Sequence, residues 1–369
     1  MLSQDWIALL GRRDTPTDGV EDYCTFLGQA LARRGIDLKL IRVPWSEKGW
    51  LRALLQLRRE CTNWREHWVL FQYTAFAWSR RGFSFGAVAA LAILRSRGVR
   101  CAVVFHEPSH HSAGSSWIGR IRAACQDWVI RKLYKESSKA IFPVPLESIA
   151  WLSQAETKTA FIPIGANIPE RLTQPEPAVQ RNGAIKTVGV FCLSNPPHRH
   201  RELGDISHAA RCITKDGSKL RVVFLGRGTE EAREEIESIF KTISAEVSNV
   251  GLQSAEEVSR ALSKCDALLC VRGILYPRRG SAIAGIGCGL PIVAYGDGSN
   301  VFPLSEAGLS LVPYPDRDAL AAALSRILND RTVWQQLHER SVGAQRRYFS
   351  WNQIARAFVE SLSVEQVSR

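Results

Sequence analysis

Arg278-Arg279-Gly280-Ser281-Ala-Ile-Ala-Gly-Ile-Gly-Cys-Gly-Leu290-Pro291-Ile-Val-Ala-Tyr295 reads as a short helix of small residues that starts at Ser281 and feeds straight into an apolar strand. Small side chains let such a helix lie close to a sheet or to a ligand, and the apolar run from Pro291 to Tyr295 has the length of a buried strand. Gly280 and Ser281 stand where a helix N-terminus presents unpaired N–H groups, which suits an anionic phosphate. Arg278 and Arg279 precede them and could add two-pronged contacts. An ordinary N-cap beside solvated arginines is the other reading of the same residues.

The same alternation of apolar run and helical period extends outward in both directions. Toward the N-terminus, strands are predicted at Leu220–Leu225 and Thr187–Leu193, and Ala267–Val271 stands just before the helix of small residues. Helices fill Arg201–Ile213, Glu230–Ile243 and Ala255–Lys264. An earlier series holds strands at Trp6–Leu10, Leu38–Val43, Trp68–Tyr73, Cys101–Phe105, Ala140–Val144 and Thr159–Ile164, with helices near 20–34, 50–59 and 87–97. Strand and helix taking turns in this way imply parallel sheets with helices on both faces. Pro169–Gly183, rich in Pro, Gln and Asn, separates the two series as a linker. The expectation is two doubly wound α/β domains, over residues 1–170 and 184–349, with ligands at the carboxyl ends of the strands and in the cleft between domains.

Composition agrees with two domains, since 369 residues at roughly 150 per domain give about two. At 45% hydrophobic and 23% charged the chain is neither disordered nor fibrous. Forty-eight Lys and Arg against 36 Asp and Glu leave +12, which favours an anionic partner: a phosphate-bearing substrate, a membrane surface or nucleic acid. The nine cysteines are scattered with no Cys-x-x-Cys pair, several inside apolar runs, and read as buried reduced thiols. No secretory signal and no window of about 20 apolar residues is present, so a cytoplasmic protein touching a membrane at most is expected.

Further candidates lie at predicted strand ends. Leu225-Gly226-Arg227-Gly228 follows a strand: Gly226 allows close approach of a ligand and Arg227 could reach a phosphate, although a plain turn would look the same. His198-Arg199-His200-Arg201 is either a diphosphate site or a solvated charge run. His106 and Glu107 follow the strand ending at Phe105, where a histidine can serve as acid, base or donor. His110 and His111 follow, but no Cys or acidic residue at zinc spacing accompanies them, so no metal is expected. Asp18-Gly19-Val20-Glu21 joins the first strand to the first helix; Gly19 permits tight passage beside a substrate and Glu21 suits the helix dipole, which capping alone also explains. Between Trp117 and Lys135, basic residues are interleaved with Trp117, Ile118, Ile121 and Trp128. This segment is either an amphipathic helix facing anionic lipid or a core-facing helix with a charged outer face.

Taken together and in order, these pieces resemble a GT-B glycosyltransferase of the large family-4-like retaining group, over nearly the whole chain. The resemblance rests on the Gly19 loop, Phe71-Gln72-Tyr73 with Arg80-Arg81-Gly82, Phe105-His106-Glu107, and Phe161-Ile-Pro-Ile-Gly-Ala-Asn167. It continues through Leu225-Gly226-Arg227-Gly228, Cys288-Gly289-Leu290-Pro291-Ile-Val-Ala294, and Tyr348-Phe349-Ser350-Trp351-Asn352-Gln353-Ile354-Ala355. It implies two Rossmann-like domains facing across a cleft, a nucleotide-sugar donor on the second, an acceptor on the first, and a last helix (350–369) that crosses back onto the first.

The resemblance also implies roles. Arg201 stands where the family carries a Lys for the diphosphate, and Gly280 and Ser281 would meet the same group. His106 would lie near the transferring sugar, with Glu107 beside it, and Val250 and Leu252 would flank the base through backbone contacts. The acceptor would be a glycan, lipid-linked or other cell-envelope molecule, met by the Gly19–Glu21 loop; no cofactor or metal beyond the nucleotide sugar and no nucleic acid is implied. One departure stands out: the family's Glu-x7-Glu pair falls on Tyr276 and Ala284, neither acidic. A sugar-nucleotide epimerase on the same architecture would need cleft carboxylates, for which Glu107 is the only obvious candidate. A degenerate transferase or basic binding protein is the non-enzyme alternative.

Overall fold

The computed structural model describes residues 4–110, 116–169, 185–299 and 301–363. Apart from Pro169 the expected linker lies outside these residues, as does His111. Two compact units divide the chain: 1–164 with 351–369, and 165–350. The division therefore falls at Ile164, and the residues up to Pro169 join the second unit.

The first unit runs β1 (Gln4–Leu10), α1 (Gly19–Ala32), β2 (Ile36–Arg42), α2 (Trp45–Lys48), α3 (Trp50–Glu60), β3 (Trp68–Tyr73), α4 (Phe85–Ser96), β4 (Arg100–Phe105), α5 (Trp117–Glu136), β5 (Lys139–Phe142) and β6 (Thr159–Phe161). Its six strands are all parallel, in the order β2-β1-β3-β4-β5-β6. Every residue of β3 is buried, because a central parallel strand is covered on both faces. Alternate residues feed two cores. Val69, Phe71 and Tyr73 pack beneath α3, α4 and α5, while Trp68 and Leu70 face the opposite core under α1.

The second unit continues with β7 (Lys186–Phe191), α6 (His198–Thr214), β8 (Leu220–Leu225), α7 (Arg233–Phe240), β9 (Ala245–Gly251), α8 (Ala255–Leu262), β10 (Ala267–Ile274), α9 (Gly280–Gly287), β11 (Ile292–Tyr295), β12 (Leu309–Val312), α10 (Arg317–Asn329) and α11 (Arg331–Ala344). Its parallel sheet is ordered β12-β11-β10-β7-β8-β9. The chain runs outward from β7 through β8 to β9, then returns to β10 on the other side. The strand order thus reverses between β7 and β10, the place where doubly wound sheets open a crevice at their carboxyl edge.

A final helix, α12 (Trp351–Ser363), completes the first unit. Trp351, Ile354, Ala355, Phe358 and Leu362 recur at helical spacing and are all buried. Trp351 stacks on Phe26 at 5.8 Å and meets Tyr23 edge-on at 5.2 Å, and Arg34 donates to Asn352 Oδ1 at 2.9 Å. Of the two readings of Trp117–Lys135, α5 shows a core-facing side made by Ala123, Val129, Ile130 and Leu133, while Trp117 and Trp128 are exposed on its outer face among the basic residues.

Phe358 is fully buried at the centre of the α1–α12 contact. Phe358→Ala is therefore expected to destabilise the protein by about 3–5 kcal/mol, read from the urea midpoint. A loss below about 1 kcal/mol would make α12 peripheral to this core.

Candidate functional site

Three loops of the second unit meet at the reversal point. The first follows β7, where Cys192 has φ 69°, the one positive φ outside glycine among the described residues. A side chain in the left-handed region is strained, and such strain marks places where the backbone is held for another purpose. Here Cys192 N–H still donates to Leu225 O (2.8 Å) and Leu193 N–H to Arg227 O (2.9 Å), so the β8 loop clamps the turn. Gly226 and Gly228 make that clamp possible. A Cβ on Gly226 would sit 2.8 Å from Cys192 Sγ, and one on Gly228 only 2.4 Å from Leu193 O. Their first duty is this backbone contact, and exposed Arg227 is carried on the tight turn between them.

The third loop follows β10. Arg272 Nε donates to Ser194 Oγ at 3.3 Å, and Arg272 O accepts from Arg279 Nη2 at 2.7 Å. The Arg279 guanidinium lies over the Tyr276 ring, 4.2 Å from its centroid, with Arg278 5.8 Å away. Among the described residues neither Arg272 nor Arg279 has an acidic partner within 4.0 Å. Burial accordingly holds the Arg279 pKa below its ordinary value. The buried Glu202 carboxylate acts on Arg279 only from beyond ion-pair distance, and a desolvated guanidinium so weakly compensated attracts an anion.

Helix α9 starts in the same place. Its N-cap is Arg279, with no side-chain hydrogen bond to the first turn, so the N–H groups of Gly280 and Ser281 have no side-chain cap. Its small residues serve packing: a Cβ on Gly285 would meet Leu268 Cδ2 at 2.7 Å, which lets α9 lie directly on β10. A cavity of about 10 Å³ between Cys192, Cys270, Arg272, Arg279 and Ser281 forms the floor of the site. It has room for about one water and does not enclose a ligand.

Other expected residues are arranged differently. Arg201 reaches the same sheet end, but its guanidinium is engaged by Asp205 Oδ2 (2.8 Å) and Val271 O (2.9 Å) and lies 5.2 Å from the Tyr314 ring centroid. Arg199 and His200 both pair with Glu235 on α7, at 3.0 and 2.8 Å, so the basic run is held within the fold. Val250 and Gly251 end the edge strand β9. Gly251 O accepts from Gly226 N–H at 2.7 Å, Val250 O accepts from Gln253 at 2.5 Å, and Leu252 is exposed beyond them.

In the first unit, His106 and Glu107 follow β4. His106 Nε2 is 2.7 Å from Oε1 of buried Gln72, whose Nε2 donates to Leu70 O, and Tyr23 packs edge-on at 5.0 Å. Because Gln72 Oε1 can only accept, His106 Nε2 carries the proton in this contact. Glu107 Oε2 accepts from Ala75 N–H at 3.1 Å. Glu21 pairs with Arg42 (2.9 Å) and Arg13 (3.0 Å), and Arg42 also grips Asp18, the cap of α1. The tightest approach near this loop is at Gly11, where a Cβ would meet Ala77 O at 2.3 Å. A separate 370 Å³ recess beside β4 is lined by Pro108, His110, Asp127, Arg131 and Trp151, with His110 Nδ1 2.9 Å from Asp127.

Arg272, Cys192 and Ser194 escaped the sequence reading. A charged residue closing the apolar run Ala267–Val271 was the available signal for Arg272.

All nine cysteines are free thiols, and burial raises several of their pKa values: Cys270 to about 11, Cys101 and Cys265 to about 12. For Cys270 the nearby Arg279 charge and Ser281 hydroxyl oppose that rise. Since the thiolate is the nucleophile, iodoacetamide at pH 8 is expected to label exposed Cys212 and leave Cys101, Cys265 and Cys270 intact, as mapped by peptide mass spectrometry. Rapid labelling of Cys270 would mean that the floor of the site is open.

No family model matches the chain, and no curated protein matches it in sequence. Solved structures do resemble it. Anabaena HepE in complex with UDP and glucose superposes with a TM-score of 0.67 at 14% identity, covering 98% of this chain and 100% of HepE. Sucrose-phosphate synthase of Thermosynechococcus elongatus gives 0.68 at 17% identity, covering 99% and 100%. A Listeria monocytogenes protein described as a UDP-N-acetylglucosamine 2-epimerase gives 0.63 at 11%, covering 99% and 97%. With two six-stranded parallel sheets flanked by helices and likeness along both chains' full length, this chain has the GT-B fold of nucleotide-sugar glycosyltransferases.

Proposed function

We propose that the chain is a glycosyltransferase that moves a hexosyl group from a nucleoside-diphosphate sugar to a glycan, lipid-linked or other cell-envelope acceptor. The observation that carries this reading is the meeting of Arg272, Arg279 and the N-terminus of α9 at the reversal point of the second sheet. Cleaving the donor's sugar–phosphate bond leaves negative charge on the departing diphosphate. Fixed guanidinium groups and helix N–H groups stabilise that charge in place. Arg227 extends the same cationic edge, and Arg201 supports it through Val271. Substrates that carry UDP in the neighbouring structures make a uridine nucleotide the first to test.

The retaining course follows the family resemblance. Metal independence follows from the arginines, which supply the charge a divalent cation would otherwise bring. His106 and Glu107 act on the sugar and acceptor side, the Gly19–Glu21 loop contributes to the acceptor site, and Val250 and Leu252 flank the base. The enzyme works at the inner face of a membrane. A second reading, binding without transfer, is favoured by one feature. Tyr276 and Ala284 stand where the family resemblance places two acids; Tyr276 instead supports Arg279, and Ala284 is buried in α9. An epimerase fits less well, because the one candidate carboxylate, Glu107, is tied to the Ala75 amide.

Incubation with a panel of UDP-sugars, with product analysis, separates these readings: transfer or slow donor hydrolysis supports the first, an epimerised donor the epimerase, and binding alone the second. Turnover is expected to persist in EDTA. Arg279→Ala with Ser281→Ala should weaken UDP binding roughly ten- to a hundredfold by calorimetry, since hydrogen bonds to charged groups contribute about 1.5–3 kcal/mol. Unchanged affinity would remove this loop from the donor site. His106→Ala is expected to lower kcat far more than UDP affinity. A pure binding loss would instead place His106 on the nucleotide.

A further inference from the structure

The outer surface of α3, α4 and α5 is apolar where helices covering a sheet normally turn polar. On α5, Trp117, Ile121, Ala124 and Trp128 recur at steps of four, three and four, so they share one face. Trp117 is 65% exposed and Trp128 51%. The stripe is about 16 Å long at 1.5 Å per residue. Phe85 at the start of α4 packs on Trp128 with ring centroids 5.8 Å apart, and Leu51 and Leu55 on α3 are exposed as well. The rim is basic: Arg52 and Arg59 on α3, Arg81 before α4, and Arg120, Arg131 and Lys135 on α5 are all exposed. On α5 both acids are already engaged, Glu136 by Arg95 and Lys132 and Asp127 by His110, and on α3 the one acid, Glu60, accepts from Gln56.

Exposed tryptophans framed by cations match an interface whose surface is anionic and whose interior is apolar. A second copy of the chain would set like charges against each other around the rim, which disfavours self-association through this patch. We propose that this face docks on an anionic lipid bilayer, with Trp117, Ile121 and Trp128 entering the headgroup–acyl boundary and the basic rim on the lipid charges. The docking deepens the membrane-face placement proposed above by naming the surface that makes the contact, and it does not depend on sugar transfer, because none of these residues belongs to the second unit's arginine site.

The test is co-sedimentation of the full chain with vesicles of neutral phosphatidylcholine, or of phosphatidylcholine with 30% phosphatidylglycerol, at low and high salt. Expected is binding to the anionic vesicles alone, falling steeply as salt rises. Trp117→Ala with Trp128→Ala should abolish it. Arg120→Gln with Arg131→Gln and Lys135→Gln should weaken it on the order of a hundredfold, at about fivefold per basic residue. UDP affinity, measured on each variant, should stay at the parent value, which shows that the fold is intact and keeps failure here distinct from failure of the transferase reading. No binding at low salt, equal binding to neutral vesicles, or a dimer in sedimentation equilibrium that the tryptophan variant dissolves would each overturn the proposal.

Discussion

A parallel sheet leaves no face for water, and in the first unit one of the two faces is closed by helices from opposite ends of the chain. The connections between its strands supply α3, α4 and α5 on one side, but on the other α1 needs α12 beside it. Trp6, Trp68, Leu70 and Val104 would otherwise be incompletely covered, and burial of such side chains contributes about 1.5–3 kcal/mol each. The return of the chain to the first unit is thus a packing requirement. It also fixes Tyr23, which touches both Trp351 and His106, so the histidine's surroundings depend on residues at the far end of the sequence.

In the second unit the organising force is electrostatic. Strand order brings the ends of β7, β8 and β10 together, and each delivers an arginine or a strained turn. Arg272 and Arg279 satisfy part of their hydrogen-bonding capacity on Ser194 and on a backbone carbonyl, neither of which supplies charge. Tyr276 contributes the face of its ring, which stabilises a cation without neutralising it. The basic run on α6 shows the contrast. Its Arg199 and His200 pair with Glu235 and so tie α6 to α7, and Arg201 is paired with Asp205 one turn along α6, whereas Arg272 and Arg279 remain available to an anion. Replacing the acids that the family resemblance places at 276 and 284 by Tyr and Ala moves this edge further toward net positive charge.

Much of this architecture is written locally. Trp68–Tyr73 and Leu220–Leu225 are legible residue by residue, because strands covered on both faces appear as short, mostly apolar runs, broken here only by Gln72 and by Arg221. The helix of small residues at 280–287 is equally plain, since its glycines and alanines permit close contact with β10. β9 and β12 are not visible in this way. Ala-Glu-Val-Ser-Asn-Val-Gly is a half-buried edge strand with mixed polarity, and β12 spans only Leu309–Val312.

What the sequence determined by itself was the alternation of strand and helix, the buried strands and the small-residue helix, all consequences of periodicity among near neighbours. Only tertiary structure decided that Arg272 of β10 reaches Ser194 beyond β7 and that Arg201 of α6 reaches the Val271 carbonyl of β10. These partners lie on different elements, and the strand order that joins them depends on packing between residues far apart in the chain. The same holds for α5. Its pattern of Trp, Ile, Arg and Lys fits a core-facing or an outward-facing stripe equally well, until the buried positions Ala123, Ile130 and Leu133 fix the rotation of the helix and leave Trp117 and Trp128 on the outside.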